Sequence, residues 1–479
     1  MKRTLLLLPF ALLPLLLSAA ERKPNFLFIY TDDQRWDAMS VVQREHGERA
    51  RFPWFQTPNM DRLASEGVRF RNAFVTLSLC APSRAAFLTG RYNHLNGIAN
   101  NHTPFPTNNV THASLMRAAG YATAYIGKWH MDGQHGQRPG FDYSASFIGQ
   151  GRYVDCPFEI NGQTTQTTGW VDDVATDYAI DFIKHHRDQP FSMVVGFKAP
   201  HGPCQPPDRA KDRFPDATAH SVPSMNTRAI YRTAPPADTE KSNAPAAQQL
   251  KTDPNYFRCI SADDDNLGRL LQTLDDLHLA SDTVVVFASD NGFYKGEHGL
   301  GDKRSAYDES LRIPLIVRYP KLIPKGKVAD EMVLNIDLAP TFLDLAGLPI
   351  PPQMQGKSWQ PLLSGKSTEW RKSFLAEYFL ENAFPNTPTL VAVRTADAKL
   401  IKYPRHDEWT ELFDLANDPY ETKNLARDPA NQDLLARMQT ELERQEKATD
   451  FRIPDYADKP GENPPPAKKP GKKKKAAEK

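Results

Sequence analysis

Cysteine is scarce. The 479 residues hold four, Cys80, Cys156, Cys204 and Cys259, and no two of them form a C-x-x-C pair. That excludes a disulfide scaffold and offers no zinc or redox motif. An excess of one charge is also missing, because 59 Lys+Arg face 58 Asp+Glu for a formal charge of +1. A dedicated nucleic-acid binder carries a basic footprint, so no nucleic-acid partner is expected and any charge function must be local. No repeat with a period of ~20–50 residues is visible, which excludes solenoids and propellers. Beyond residue 20 no run is apolar enough to span a bilayer, so no stable membrane anchor is expected.

What the chain does have at its start is an export signal. Lys2 and Arg3 precede a Leu-rich run over 5–17, and Ser18, Ala19 and Ala20 supply small residues before cleavage. The run is shorter than the ~20 apolar residues that cross a bilayer, and no cysteine follows at a lipoprotein position. Residues 1–20 are therefore expected to be removed, leaving a secreted or periplasmic protein. Cysteines can pair in that compartment. With Cys80 reserved for chemistry, as argued below, three remain and at most one internal disulfide forms. The sequence does not choose among Cys156, Cys204 and Cys259.

The rest has the composition of an ordinary folded protein, 40% hydrophobic and 24% charged. Apolar or β-branched runs at 25–30, 122–126, 191–197, 283–288 and 314–319 are short enough for strands and too continuous to be half-exposed. Buried parallel strands are expected. Helical stretches at 171–186 and 259–277 lie between them, the alternation of a doubly wound α/β sheet. Residues 205–255 are rich in Pro, Ala, Asp and Thr with little periodicity, and read as a long surface insertion framing a site. Pro349, Ile350, Pro351 and Pro352 then mark a boundary. Strands at 389–394, 399–403 and 411–415 and a closing helix at 431–447 predict a smaller C-terminal α+β domain. From Lys459 onward no apolar face remains, so a disordered basic tail is expected.

Four of the apolar runs deliver polar residues at their C-terminal ends, where open α/β sheets place ligands. The first ends in Thr31, Asp32 and Asp33, the second in Gly127, Lys128, Trp129 and His130, the third in Ala199, Pro200 and His201, and the fourth in Ser289, Asp290, Asn291 and Gly292. Carboxylates pressed together repel, so Asp32 and Asp33 beside Asp290 make sense chiefly around a hard cation. Oxygen ligation points to Ca²⁺ or Mg²⁺ and away from zinc. Cys80 opens a further segment in which Pro82 suits a first helical turn and good helix formers follow, so Cys80 is placed at a helix N-terminus that favours an anion. Arg84, one turn on, adds a fixed cation.

The run C-x-P-S-R-x(4)-T-G-R at residues 80–91 resembles the signature of the formylglycine-dependent sulfatases, within the alkaline phosphatase superfamily. Blocks at 24–33, 127–130, 289–292, 299–303, 312–318 and 411–425 are similar to family blocks in the same order. The resemblance implies a large mixed sheet sandwiched by helices. The residues read above are expected to divide the chain into a signal peptide at 1–20, a catalytic domain at 21–350, a C-terminal α+β subdomain at 351–455 and a disordered basic tail at 456–479. The resemblance also implies that a separate maturation enzyme oxidises Cys80 to formylglycine. The hydrated aldehyde would offer one hydroxyl to attack sulfur and a second to expel sulfate afterwards. Asp32, Asp33, Asp290 and Asn291, with residue 80, would ligate Ca²⁺, Mg²⁺ being the lesser choice. Arg84 would hold the diol and balance the carboxylates, Lys128 and Lys303 would grip sulfate oxygens, and His130 would contact the diol. His201 would protonate the departing sugar oxygen. His298, Arg405 and His406 are candidates for contact with the sugar.

The substrate implied is a sulfated carbohydrate. Phe141, Asp142 and Tyr143 with the stretches 149–153 and 302–318 resemble bacterial N-acetylglucosamine-6-sulfatases of the mucin- and heparin-desulfating type. Two other readings keep the same residues: a formylglycine phosphonate or phosphodiester hydrolase, and a glycan binder whose Cys80 is never converted.

Overall fold

The computed structural model describes residues 22–131, 134–232, 249–366 and 369–455. The export signal expected at 1–20, residues 233–248 of the insertion and the tail from 456 lie outside the described residues.

The strand Asn25–Thr31, NFLFIYT, is buried at every position, so both its faces must be covered. Phe26, Phe28 and Tyr30 enter one apolar cluster, and Leu27 and Ile29 enter another, as the period of two along a strand requires. Helices Cys80–Thr89, His112–Ala118 and Leu338–Leu345 build the first layer. Pro58–Glu66, Val171–His185 and Pro254–Asp276 build the second. A ten-stranded mixed sheet lies between them, the doubly wound α/β architecture expected.

In spatial order the strands are Lys327–Ala329, Val68–Phe70, Leu315–Arg318, Thr283–Ser289, Asn25–Thr31, Phe191–Gly196, Ala122–Lys128, Tyr143–Phe147, Phe158–Ile160 and Gln163–Thr165. From Thr283–Ser289 to Tyr143–Phe147 they run parallel. One expectation is corrected here: Leu315–Arg318, within the run at 314–319, is buried but antiparallel to its neighbour Thr283–Ser289. Continuous burial reports covered faces and is silent on direction. A parallel return needs a crossover long enough to pass over the sheet, and the intervening segment holds only the short helix Asp308–Leu311 and a turn of 3₁₀ helix.

Ser373–Tyr378, Leu390–Thr395, Ala398–Lys402 and Glu411–Asp414 form a separate antiparallel meander. The helix Gln432–Thr449 packs on it through Met438 and Leu442. The first of these strands was not expected from the sequence, and it fastens the meander to the chain on either side of the helix Cys80–Thr89. Glu377 N donates to Thr76 O at 2.8 Å, and the Glu377 carboxylate accepts from Asn93 N at 2.7 Å. One apolar cluster runs continuously from the large sheet into the meander.

The insertion is stitched down at its described parts. Thr218–His220 pairs antiparallel with Gln249–Lys251, His220 N donates to Arg51 O at 2.9 Å, and Ala229 N donates to His298 O at 2.9 Å.

A buried histidine also locks the meander. His94 Nδ1 meets Glu377 Oε2 at 2.5 Å, and Nε2 meets Thr449 O at 3.0 Å. Burial lowers the imidazole pKa, but the Glu377 charge and hydrogen bond, with Thr449 O, raise it overall; Arg452 opposes them. A histidine raised above its unfolded ~6.5 contributes stability that is complete below that pH and is lost as pH climbs through the folded value. Thermal midpoints of wild type and His94→Gln, followed from about pH 5 to pH 9, should differ by ~2–4 °C at the acid end and converge as pH rises. A gap independent of pH would contradict the charged pair.

Candidate active site

Parallel strands in register bring their C-terminal ends to one edge. Thr31 pairs with Ser289, so Asp32 and Asp290 leave the sheet side by side. The ladder continues one step further, with Asp290 N donating to Thr31 O at 2.9 Å and Asp32 N donating to Ala199 O at 3.0 Å. Asp33 turns into the left-handed region at φ 70°, which Asp tolerates. Its carbonyl accepts from Tyr256 OH at 2.7 Å. Two strands away, Lys128 can sit at its strand end because Gly127 has no Cβ. At φ +88° a Cβ would stand 2.1 Å from Gly196 O.

Cys80 is the first residue of the buried helix Cys80–Thr89, which ends at Gly90 in a left-handed cap with Gly90 N donating to Ala86 O. Cys80 Sγ lies 3.4 Å from Asp32 Oδ1 and 3.2 Å from Lys303 Nζ. Burial and the Asp32 charge push its thiol up to about 12, so the encoded side chain is a protonated thiol and not a thiolate.

Three buried carboxylates face three buried cations. Arg84 donates from Nε and Nη2 to Asp290 Oδ2 at 2.9 and 2.7 Å, and Nη2 lies 3.3 Å from Asp32 Oδ2. Its Nη1 bonds Lys128 O, and the guanidinium lies 4.8 Å over the Tyr30 ring. Lys128 Nζ pairs with Asp32 and donates to Gln150 Oε1 at 2.5 Å. Lys303 Nζ pairs with Asp33 Oδ1 at 2.5 Å. Arg84 thus spends its nitrogens on the carboxylates and a carbonyl, and the lysine that reaches the Cys80 sulfur is Lys303.

The donor set fits a hard cation. Asp32, Asp33 and Asp290 each place a carboxylate oxygen within 4.8 Å of the other two. Asn291 Nδ2 donates to Asp33 Oδ1 at 2.6 Å, while Asn291 Oδ1 is buried with no hydrogen-bond partner. An orphaned carbonyl beside three carboxylates is an oxygen cage of the kind Ca²⁺ takes. Burial and the neighbouring Asp32 push Asp290 up to about 7, the strain of like charges that a cation removes.

Two histidines flank this cage. His201 Nε2 lies 3.9 Å from Asp33 Oδ2, its Nδ1 faces Gly202 O at 2.8 Å, and Tyr153 OH donates to His201 O at 2.8 Å. Burial and Lys128 lower its pKa to about 4. His130 is buried, with Nδ1 unpartnered, and burial with Lys128 holds it well below the usual imidazole range. Both shifts favour the neutral ring.

The other candidates have surroundings of their own. His298 is buried, its ring stacked on Tyr307 at 3.8 Å and its Nδ1 on Thr227 Oγ1 at 3.1 Å, so it serves packing rather than an open surface. Arg405 is exposed. His406 stacks on Trp409 at 3.7 Å and helps to line a separate cavity of about 560 Å³ with Arg228 and Tyr231. Gln150 was missed as a site residue. It follows Tyr143–Phe147, the fifth parallel strand, and the strand-end rule applied once more would have found it.

The arrangement is a buried cage of balanced charges around Cys80, and the chain that builds it is similar in sequence and fold to known proteins. An N-acetylglucosamine-6-O-sulfatase of Bacteroides thetaiotaomicron is 34% identical over 494 aligned residues, covering 88% of this chain and 86% of that one. A solved structure in complex with D-glucosamine-2-N,6-O-disulfate superposes with TM-score 0.80 at 30% identity, over 91% of this chain and 99% of that one. A phosphonate monoester hydrolase from Silicibacter pomeroyi, at TM-score 0.70 and 22% identity over 89% of this chain and 96% of that one, shares the fold alone. Residues 296–448 match the family model described as N-sulphoglucosamine sulphohydrolase, C-terminal. Residues 24–348, which include every member of the cage, match the model described as Sulfatase, and the chain belongs to that family of sulfuric ester hydrolases.

Proposed function

We propose that this sulfatase is an exported, calcium-dependent enzyme that removes the 6-O-sulfate of N-acetylglucosamine in a mucin- or glycosaminoglycan-type glycan, after a maturation enzyme has converted Cys80 to formylglycine. The observation that carries the reading is the seat of Cys80, wedged between Asp32 and Lys303 inside a cage whose own charges balance. A balanced cage that also binds a divalent cation gains positive charge, and a sulfate ester is the anion that such a site accepts. Bound Ca²⁺ would polarise the sulfuryl group and acidify the hydroxyl of hydrated residue 80.

The chain's own groups then divide the work. Asp32, Asp33, Asp290 and Asn291 hold the cation, and Arg84 fixes Asp290 and Asp32 so that their charges stay in place. Lys303, already at the residue 80 side chain, and Lys128 meet the ester oxygens as negative charge grows on them. The Gln150 carboxamide turns its oxygen to Lys128, which leaves its N–H groups for a sulfate oxygen or a sugar hydroxyl. His201 stands on the open side, its side chain 20% exposed, where the sugar oxygen departs. A bound ester brings negative charge against this neutral ring and raises its pKa toward the range in which it donates.

The 6-position is favoured by the relatives' own substrates, as their names state them. A primary sulfate also projects from its ring and reaches a recessed strand-end site.

Replacing Cys80 by Ala should abolish turnover while leaving the thermal midpoint in place, since a small side chain fits the helix start but forms no diol. Activity within ~10-fold of wild type would refute the nucleophile. Asp290→Asn should weaken calcium binding by at least ~10-fold in calorimetry, and stoichiometric calcium retained after dialysis would count against the ligand set.

Substrate choice is decided by sulfate release from 6-O-sulfated N-acetylglucosamine, 6-O-sulfated galactose and 2-O-sulfated uronates, run beside an aryl sulfate and an aryl phosphodiester. The first sugar is expected to be best. Preference for the phosphodiester would favour the alternative hydrolase, and preference for the uronate would overturn the sugar assignment alone. In the same screen His201→Ala should slow the sugar ester, with its poor alkoxide leaving group, ~10²-fold or more relative to the aryl sulfate. Equal slowing would remove the acid role.

A further inference from the structure

A cavity of about 290 Å³ holds an arginine cluster that the cage does not use. Arg35, Arg49, Arg51 and Arg312 line it with His46, and so do the acids Asp37, Glu297, Asp308 and Glu309. None of Asp32, Asp33, Cys80, Lys128, Asp290 and Lys303 does.

The acids are already satisfied. Asp37 takes Arg35 in a two-armed pair, Nε to Oδ1 at 2.7 Å and Nη2 to Oδ2 at 2.9 Å. Asp308 takes Arg394 the same way at 3.0 and 2.9 Å, and Lys399 at 2.6 Å. Glu309 accepts from Ser224 Oγ at 3.0 Å, and its other oxygen lies 3.5 Å from His298 Nε2. Glu297 accepts from Arg35 Nη1 at 2.8 Å and from Lys295 N at 2.5 Å, and it also pairs with Arg51.

The arginines are less well served. Arg312 makes no ion pair among the described residues: its Nε and Nη2 both go to Arg71 O, at 2.8 and 2.5 Å, and its guanidinium lies 3.9 Å over the Trp36 ring. Arg51 is 5% exposed, its one carboxylate is the Glu297 it shares with Arg35, and its Nε is buried with no hydrogen-bond partner among the described residues. Arg49 is exposed. Burial and the neighbouring Arg35 push Arg51 down to about 9, and burial pushes Arg312 down to about 10. In Arg35 the same burial is outweighed by Asp37, and its pKa rises. A buried guanidinium without a carboxylate of its own is a ready donor to an oxyanion, which would supply the missing charge.

We propose that this cavity is a second anion site, in which Arg51 and Arg312 hold a sulfate group, free or carried by a sugar. Sulfate is the oxyanion that a sulfuric ester hydrolase releases. Pockets for small molecules begin at ~300 Å³, so there is room for a sugar ring behind the group. The proposal rests on the chain being a sulfatase and on no particular sugar.

Crystals of the full-length chain soaked in ~10 mM sodium selenate, a sulfate analogue that scatters anomalously and would fill a millimolar site, test it. An anomalous peak is expected in the cavity, within hydrogen-bond distance of Arg51 and Arg312, and should vanish in Arg51→Gln and in Arg312→Gln. An empty cavity, or a peak unchanged in the variants, would overturn the site. In solution, sodium sulfate should raise the thermal midpoint of wild type ~1–3 °C more than that of either variant, against sodium chloride of equal ionic strength. The general salting effect of sulfate is common to all three chains, so equal rises would mean an adventitious ion only. Should one variant fail to fold, the other decides. Soaks of the chain carrying Cys80→Ala, to prevent turnover, separate the sources. 6-O-sulfated N-acetylglucosamine in the cavity would assign it to the glycan, selenate alone would assign it to free sulfate, and unsulfated N-acetylglucosamine bound there equally well would refute the anion reading.

Discussion

The repulsion between buried carboxylates governs the assembly of this molecule. Asp32 and Asp290 stand at the ends of neighbouring parallel strands in register, and Asp33 follows one of them, so the sheet itself forces three carboxylates together. In a dry interior such charges persist only when compensated. The compensation comes from three separate places in the chain. Arg84 arrives on the helix Cys80–Thr89, Lys128 at the end of another strand, and Lys303 on the loop that follows Asp290. Docking of each element is thereby coupled to the electrostatics of the site, and the helix that supplies Arg84 brings Cys80 to the centre. Tyr30 under the Arg84 guanidinium and Tyr125, bonded to both Tyr30 and Lys128 O, fix the geometry from below.

Much of this was legible because it depends on short-range rules. A strand buried on both faces must be a continuous apolar run, and a loop that leaves a parallel strand at its C-terminal end must carry any ligand-binding group. Together these rules named Asp32, Lys128, His201 and Asp290 before any geometry was known. The same rules fail where the signal is not periodic. The strand Leu315–Arg318 has the composition of its parallel neighbours, and only the absence of a crossover sets its direction. Ser373–Tyr378 was missed although it is buried throughout, because its polar ends Ser373 and Glu377 are satisfied by distant partners that one sequence does not display. Pro254 starts its helix before the apolar face begins, and the Asp253 cap with Pro at the first turn was the available sign.

The rim around the cage is of a different kind. His201, Gln150 and Tyr153 lie on loops held by individual polar bonds, with no repeating pattern for a reader to detect. His298 shows how such a bond is disguised. Its place near Lys303 suggested contact with sugar, yet the ring is buried and fastens the insertion to the loop that leads to Lys303, through Thr227 Oγ1 at 3.1 Å and Ala229 N on its carbonyl at 2.9 Å.

This division has a physical basis in how each group is held. Each cage residue is fixed by at least one charged partner, so displacing it exposes an uncompensated buried charge, and the cost confines it to one position. On the rim, His201 and Tyr153 are held by neutral hydrogen bonds or by stacking, worth only ~1 kcal/mol each, and can be re-aimed by small changes in their loops. The described part of the insertion is tied through Thr227 and Ala229 to His298 and so to the loop that leads to Lys303, while the carboxylates and cations stay where the sheet put them. The charged cage is therefore a property of the sheet edge, and the loops that lean over it, His201 among them, are set by individual polar bonds.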